Sequence, residues 1–95
     1  MKSKTTRAFR KRLDALPAEV QGQAQSAYRQ FIADPYHKSL KFKRVHTDAP
    51  LYSARVSKGY RAVGQLDGET VVWFWIGSHA DIGSHADYDN LLARS

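Results

Sequence analysis

The sequence contains no cysteine. That excludes a disulfide framework, a thiolate zinc site and a cysteine nucleophile. Long apolar runs are also missing: the longest, Val71–Ile76, falls far short of the ~20 residues a membrane-spanning helix needs. The basic start carries no apolar stretch and so does not read as a secretory signal. No P-loop, dinucleotide-binding glycine fingerprint, His-Glu-x-x-His motif or nucleophile elbow occurs. Acidic residues are scarce where basic ones are dense. Residues 1–61 hold fourteen Lys/Arg against four Asp/Glu, whereas residues 62–95 hold one Arg against five carboxylates. Such asymmetry suits a surface facing a polyanion, with nucleic acid or the ribosome foremost, although a merely well-solvated basic surface would look the same. With 95 residues, 42% hydrophobic and 25% charged, the chain is expected to form one soluble, cytoplasmic domain spanning 1–95.

Hydrophobic spacing divides the chain into a helical front and a β-type middle. Phe9, Leu13 and Leu16 fall at i, i+4 and i+7 in a helix beginning near Thr5 or Thr6. Pro17 suits the first turn of a second helix, and Val20, Ala24, Ala27 and Phe31 give that helix one buried stripe. Asp34-Pro35 ends it, because the residue before proline avoids helical geometry. Residues 35–50 read as a basic connecting loop with room for one short extended piece. After it the period changes to two in Leu51–Val56, Tyr60–Leu66 and Thr70–Ile76, with turns expected at Ser57-Lys58-Gly59 and Asp67-Gly68. Tyr88, Leu91 and Leu92 suit a short closing helix over 87–93. The predicted class is α+β: an N-terminal helical hairpin covering a three- to four-stranded antiparallel sheet, with a closing C-terminal helix.

The hexapeptide Ile76-Gly77-Ser78-His79-Ala80-Asp81 is repeated letter for letter as Ile82–Asp87. One tandem copy does not make a solenoid. Six residues preserve strand alternation, so either copy could continue the strand. The expectation is that the first copy does so and the second joins the connection to the closing helix. The added length would also allow two protomers to exchange closing segments as a homodimer.

A three-residue loop at 57–59 would place Arg55 directly opposite Arg61. Two guanidiniums on one face repel unless an anion or water separates them, and the planar fork grips phosphate with paired hydrogen bonds. The alternative is two side chains fanning into solvent, and a two-residue turn would instead put them on opposite faces. Lys41, Lys43, Arg44 and His46 feed the same region as candidate nucleic-acid contacts. Histidine moves protons near neutral pH, which makes His79 and His85, at the end of the last strand, candidate proton carriers. Their His-x-Asp setting could also suggest a metal, but no well-spaced third ligand appears, so neither metal nor cofactor is expected. His37 reads as a loop or capping residue. Tyr88 could hydrogen-bond, stack on a base or pack in the core, and Trp73 and Trp75 alternate onto one face as core or rim.

Taken in order, Phe31, Asp34-Pro35-Tyr36-His37, Leu40-Lys41-Phe42-Lys43, Leu51–Val56, Gly59-Tyr60-Arg61-Ala62-Val63, Val71–Gly77 and Gly83–Asp89 resemble the RelE/ParE toxin superfamily of type II toxin–antitoxin modules. The resemblance covers nearly the whole chain. It implies a curved sheet against two helices, a bacterial cytoplasmic setting and a cognate antitoxin. Ribonucleolytic members cut messenger RNA on the ribosome, whereas ParE-type members poison DNA gyrase without cutting RNA. Carried over by position, the implied catalytic set is Arg55, Arg61 and His79 or His85, with Tyr88 matching a residue near the chain end in some members. The implied chemistry is metal-free: the ribose 2′-oxygen loses its proton and attacks the adjacent phosphorus. A general acid then protonates the departing 5′-oxygen, leaving a 2′,3′-cyclic phosphate. Ser53 departs from the pattern, standing where some ribonucleases place a second lysine. The readings that follow are an endoribonuclease inhibiting translation, a non-catalytic gyrase inhibitor, and a toxin-like binding module inactivated by the duplication.

Overall fold

The structure, a computed structural model, describes residues 1–46, 48–78 and 80. Thr6 closes an extended segment and opens a helix: its hydroxyl accepts the Phe9 amide at 3.1 Å, satisfying one of the unpaired N–H groups of the first turn. Helix α1 (Arg7–Asp14) buries Phe9 and half-buries Leu13. Pro17 caps α2 (Ala18–Ala33), whose Val20, Ala24 and Phe31 are buried, with Ala27 packed beside them. Asp34, in extended geometry, ends that helix. A one-turn 3₁₀ segment (Lys38–Leu40) drops Leu40 into the core.

Among the described residues the sheet has five strands: β1 (Lys2–Thr5), β2 (Lys43–Arg44), β3 (Leu51–Ser57), β4 (Tyr60–Asp67) and β5 (Thr70–Ser78), in the order β1-β5-β4-β3-β2. The three predicted strands form the antiparallel centre, and two short edges extend it. The sheet is therefore mixed rather than wholly antiparallel, because β1 pairs with β5 in parallel, from Lys2↔Thr70 to Thr5↔Trp73. The β2 edge is the short extended piece expected within residues 35–50, whereas the β1 edge was not expected from the sequence. Lys-Ser-Lys-Thr has no apolar alternation, and β2 is too short to show a period. Both edges carry lysine, which discourages further strand pairing.

Two β-bulges redirect side chains. At the β4–β5 pairing the register shifts between Val63↔Trp75 and Gly64↔Trp73, leaving Phe74 as the extra residue. Trp73 and Trp75 consequently do not share a face. Trp73 joins Phe9, Phe31, Leu40 and Ile76 beneath the helices, while Trp75 joins Leu51, Val63 and Phe74 on the opposite side. Strict alternation cannot anticipate a bulge. The β4–β5 turn also differs from expectation. Asp67 pairs with Thr70, so the turn is Gly68-Glu69, with Gly68 at φ 61 in the first central position, the II′ pattern.

Gly64 sits beneath the Trp73 ring. A Cβ there would lie 2.7 Å from Val71 Cγ1 and 2.8 Å from Trp73 Cε3. Gly64→Ala should therefore lower stability by about 1–3 kcal/mol through overpacking, read as a reduced urea midpoint. Gly22, mid-helix with nothing within 4 Å, supplies the contrast: Gly22→Ala should raise stability by ~0.5–1 kcal/mol, read as a higher midpoint. Equal effects at the two sites would contradict this packing account.

β5 includes Ile76, Gly77 and Ser78 of the first hexapeptide copy, paired with Ala62, Arg61 and Tyr60. The second copy and the predicted closing helix over 87–93 lie outside the described residues.

Candidate functional site

The β3–β4 hairpin sets the geometry of the predicted arginine pair. Ser57 pairs with Tyr60, so the turn contains two residues, Lys58-Gly59, rather than the expected three. Among the described residues only Lys41 and Gly68 have positive φ, so this is not a primed hairpin turn, the kind whose twist matches paired strands. A bulge at Val56 absorbs the mismatch by adding one residue to β3. Arg55 thereby returns to a position directly opposite Arg61, the pairing anticipated from the sequence but reached by another route.

Ladder alternation places Arg55 and Arg61 on the face of Ser53, Val63 and Trp75, away from Ala54 and Ala62 beneath the helices. Both arginines are half-buried. The next member of the row is Gly77, paired with Arg61. A Cβ at Gly77 would approach Trp75 Cζ2 to 2.7 Å and Arg12 Nη2 to 3.0 Å. Arg12 thus enters the row from α1. Its Nε donates to the Ile76 carbonyl at 2.9 Å, and its guanidinium lies 4.8 Å above the centre of the Trp75 ring. The hydrogen bond and the cation–π contact hold the guanidinium in place, and its two terminal nitrogens have no hydrogen-bond partner among the described residues. Arg55, Arg61 and the Gly77 position that Arg12 reaches therefore lie in one row across the sheet. Guanidiniums gathered in one row are suited to an oxyanion or phosphate. Sequence reasoning missed Arg12, since nothing local signals a contact sixty-four residues away.

The other predicted residues have distinct settings. Lys43 pairs with Ser53 and so shares the face of Arg55, whereas Arg44 pairs with Tyr52 on the face beneath the helices. Arg44 Nε also donates to the His46 carbonyl. Lys41 is exposed, in left-handed conformation at φ 46. His46 is buried, and its Nδ1 accepts the amides of Asp48 and Ala49, which organises the connection into β3. His37 caps the 3₁₀ turn, its Nδ1 accepting the Ser39 amide. Ser53 is fully buried, and its hydroxyl has no hydrogen-bond partner among the described residues. His79, His85 and Tyr88 lie outside the described residues.

The same architecture recurs in solved toxins. The RelB–RelE antitoxin–toxin complex of Methanococcus jannaschii superposes with a TM-score of 0.67 at 15% identity, covering 90% of this chain and 95% of that one. The YoeB/ParE toxin of Agrobacterium tumefaciens gives 0.65 at 17% identity, covering 83% and 99%. The toxin–antitoxin complex RelBE2 of Mycobacterium tuberculosis gives 0.64 at 25% identity, covering 84% and 92%. No curated protein matches the sequence. A family model described as a ParE-like toxin domain matches residues 18–90. That match takes in the second helix, the basic loop and the arginine-bearing hairpin, and with the shared α+β architecture it establishes that the chain belongs to the ParE-like family of type II toxin–antitoxin toxins.

Proposed function

We propose that this toxin is a ribosome-dependent messenger RNA endonuclease. The observation that carries the proposal is the cross-strand opposition of Arg55 and Arg61, with Arg12 clamped beside them. In this reading the guanidiniums bind the scissile phosphate and neutralise the charge that builds on its oxygens as the 2′-oxygen attacks. Fixed donors aimed at developing charge act strongly in a partly dry site. Proton transfer from the 2′-hydroxyl and to the departing 5′-oxygen falls to His79 or His85, with Tyr88 assisting. Ribose and phosphate supply every reacting atom, so the scheme needs no metal or cofactor.

Inhibition of DNA gyrase without RNA cleavage is the second reading. What favours it is Ser53, whose buried hydroxyl occupies a position where some ribonucleases carry a lysine. A cognate antitoxin is the proposed regulator. Support comes from the toxin–antitoxin complexes among the structural relatives and from an open apolar cavity of about 380 Å³ between α1, α2 and the sheet, lined by Phe9, Leu13, Phe31 and Trp73. Exchange of closing segments in a homodimer remains a proposal for size-exclusion measurement.

Charge supplies a direct test of RNA engagement. Binding to RNA or ribosomes should weaken steeply with rising salt as Lys and Arg displace counterions. Neutralising Lys41, Lys43 and Arg44 together should flatten that dependence by up to about three phosphate contacts' worth of slope. Affinity indifferent to salt would instead identify an apolar protein contact as the main interaction.

A further inference from the structure

The loop after α2 carries an aromatic feature that the arginine site does not use. Tyr36 is 69% exposed, the most exposed large apolar side chain among the described residues. It is not loosely held. Its amide donates to Asp34 Oδ1 at 3.1 Å, and its ring meets Phe42 edge-on at 5.7 Å. Phe42 stacks on Tyr52 at 5.0 Å with only 20° between the planes, and meets Phe31 and Trp73 edge-on. Tyr36 is thus the solvent-facing end of an aromatic array anchored in the core. Such anchoring lowers the entropic cost of presenting the ring to a ligand.

The chain around this ring is strongly basic. Lys38, Lys41, Lys43 and Arg44 follow within eight residues and all are exposed. The edge strand β2 divides its two cations between the faces, Arg44 toward Tyr52 and the aromatic array, Lys43 toward Ser53 and the Arg55 row. A phosphodiester chain crossing that edge would meet positive charge on both sides. An exposed, fixed aromatic ring beside backbone-tracking cations is the arrangement by which single-stranded nucleic acid is held, because every base offers a π-face and every linkage a negative charge.

We infer that Tyr36 is a nucleobase-stacking site for single-stranded RNA, lying outside the cleavage centre and separated from it by the basic β2 edge. The inference rests on the reading of this toxin as RNA-directed and adds a second contact to it. Stacking on Tyr36 and phosphate contacts at β2 together would fix which nucleotide reaches Arg55 and Arg61.

The test uses the full chain and an uncleavable 2′-O-methyl oligonucleotide of about ten nucleotides carrying 2-aminopurine, titrated at constant salt. Wild-type protein should quench the fluorescent base on binding. Tyr36→Ala should lose the quench and bind about tenfold more weakly with an unchanged salt slope, while Tyr36→Phe should match wild type. Arg55→Ala/Arg61→Ala should retain the quench even where affinity falls. Tyr36→Ala binding and quenching like wild type would overturn the inference. So would loss of affinity for a protein partner alone, which would identify Tyr36, with exposed Tyr28 and Ile32, as a protein-docking surface. Failure of the cleavage reading registers separately, as unaltered RNA cleavage in the double-arginine variant.

Discussion

Arg61→Ala should reduce RNA cleavage by about 10²–10³-fold and relieve growth arrest, while leaving the circular dichroism spectrum unchanged. The magnitude follows from removing one preorganised donor from a site where charge develops. Arg61 stands directly opposite Arg55, so either single substitution also relieves like-charge repulsion between the strands. Loss of activity with the fold retained is the expected signature. Arg55→Ala should show a comparable deficit, and the double variant should be little worse than the more damaged single if the pair grips one phosphate. Arg12→Lys discriminates further. It keeps the charge but removes both the Nε hydrogen bond to Ile76 and the planar fork over Trp75, so activity should fall with the net charge unchanged. Wild-type toxicity in the Arg55→Ala/Arg61→Ala variant would remove these residues from the mechanism.

Trp73→Ala should be the most damaging single substitution to the fold. The ring is 3% exposed and meets Phe31 edge-on at 5.3 Å and Phe42 at 6.2 Å. Its indole nitrogen donates to Ser3 Oγ at 2.9 Å, tying β1 to β5 beyond the backbone ladder. Truncation removes the largest ring of the helix-side core and leaves a cavity beneath α2, a change costing about 3–5 kcal/mol. Small domains have only ~5–15 kcal/mol in total, so the variant should unfold at markedly lower urea and accumulate poorly in cells. Trp73→Phe separates the contributions, since it keeps most of the ring and loses only the Ser3 hydrogen bond, at about 1 kcal/mol. A Trp73→Ala midpoint near that of wild type would show that the core is organised elsewhere.

These two residues also mark the boundary of what sequence patterning conveys. The helices were legible because Phe9–Leu13 and Val20–Ala24–Phe31 follow the helical period and Thr6 and Pro17 suit their starts. The central strands were legible because polar and apolar residues alternate until a turn. What escaped was non-local. Lys2–Thr5 becomes a strand because β5 presents an edge to it, a fact held sixty-eight residues away. The separation of Trp73 from Trp75 depends on a bulge that no composition signals. The Arg55–Arg61 opposition was inferred from loop length, yet it arises from a shorter turn and a bulge whose effects on register cancel. Arg12 was invisible because its role depends on helix packing against Ile76 and on the absence of a side chain at Gly77. Tyr36 was not singled out in the sequence, because its exposure and its anchoring depend on the aromatic array it joins.

The most direct test of the central claim is transcriptome-wide mapping of RNA 5′-ends after induction in translating cells, repeated in extracts with and without ribosomes. The account predicts new 5′-ends within messenger RNA that require ribosomes, carry 5′-hydroxyl termini left by 2′-oxygen attack, and vanish with Arg55→Ala/Arg61→Ala. Growth arrest with no new RNA ends and a loss of DNA supercoiling would contradict it, and would assign this toxin to gyrase inhibition instead.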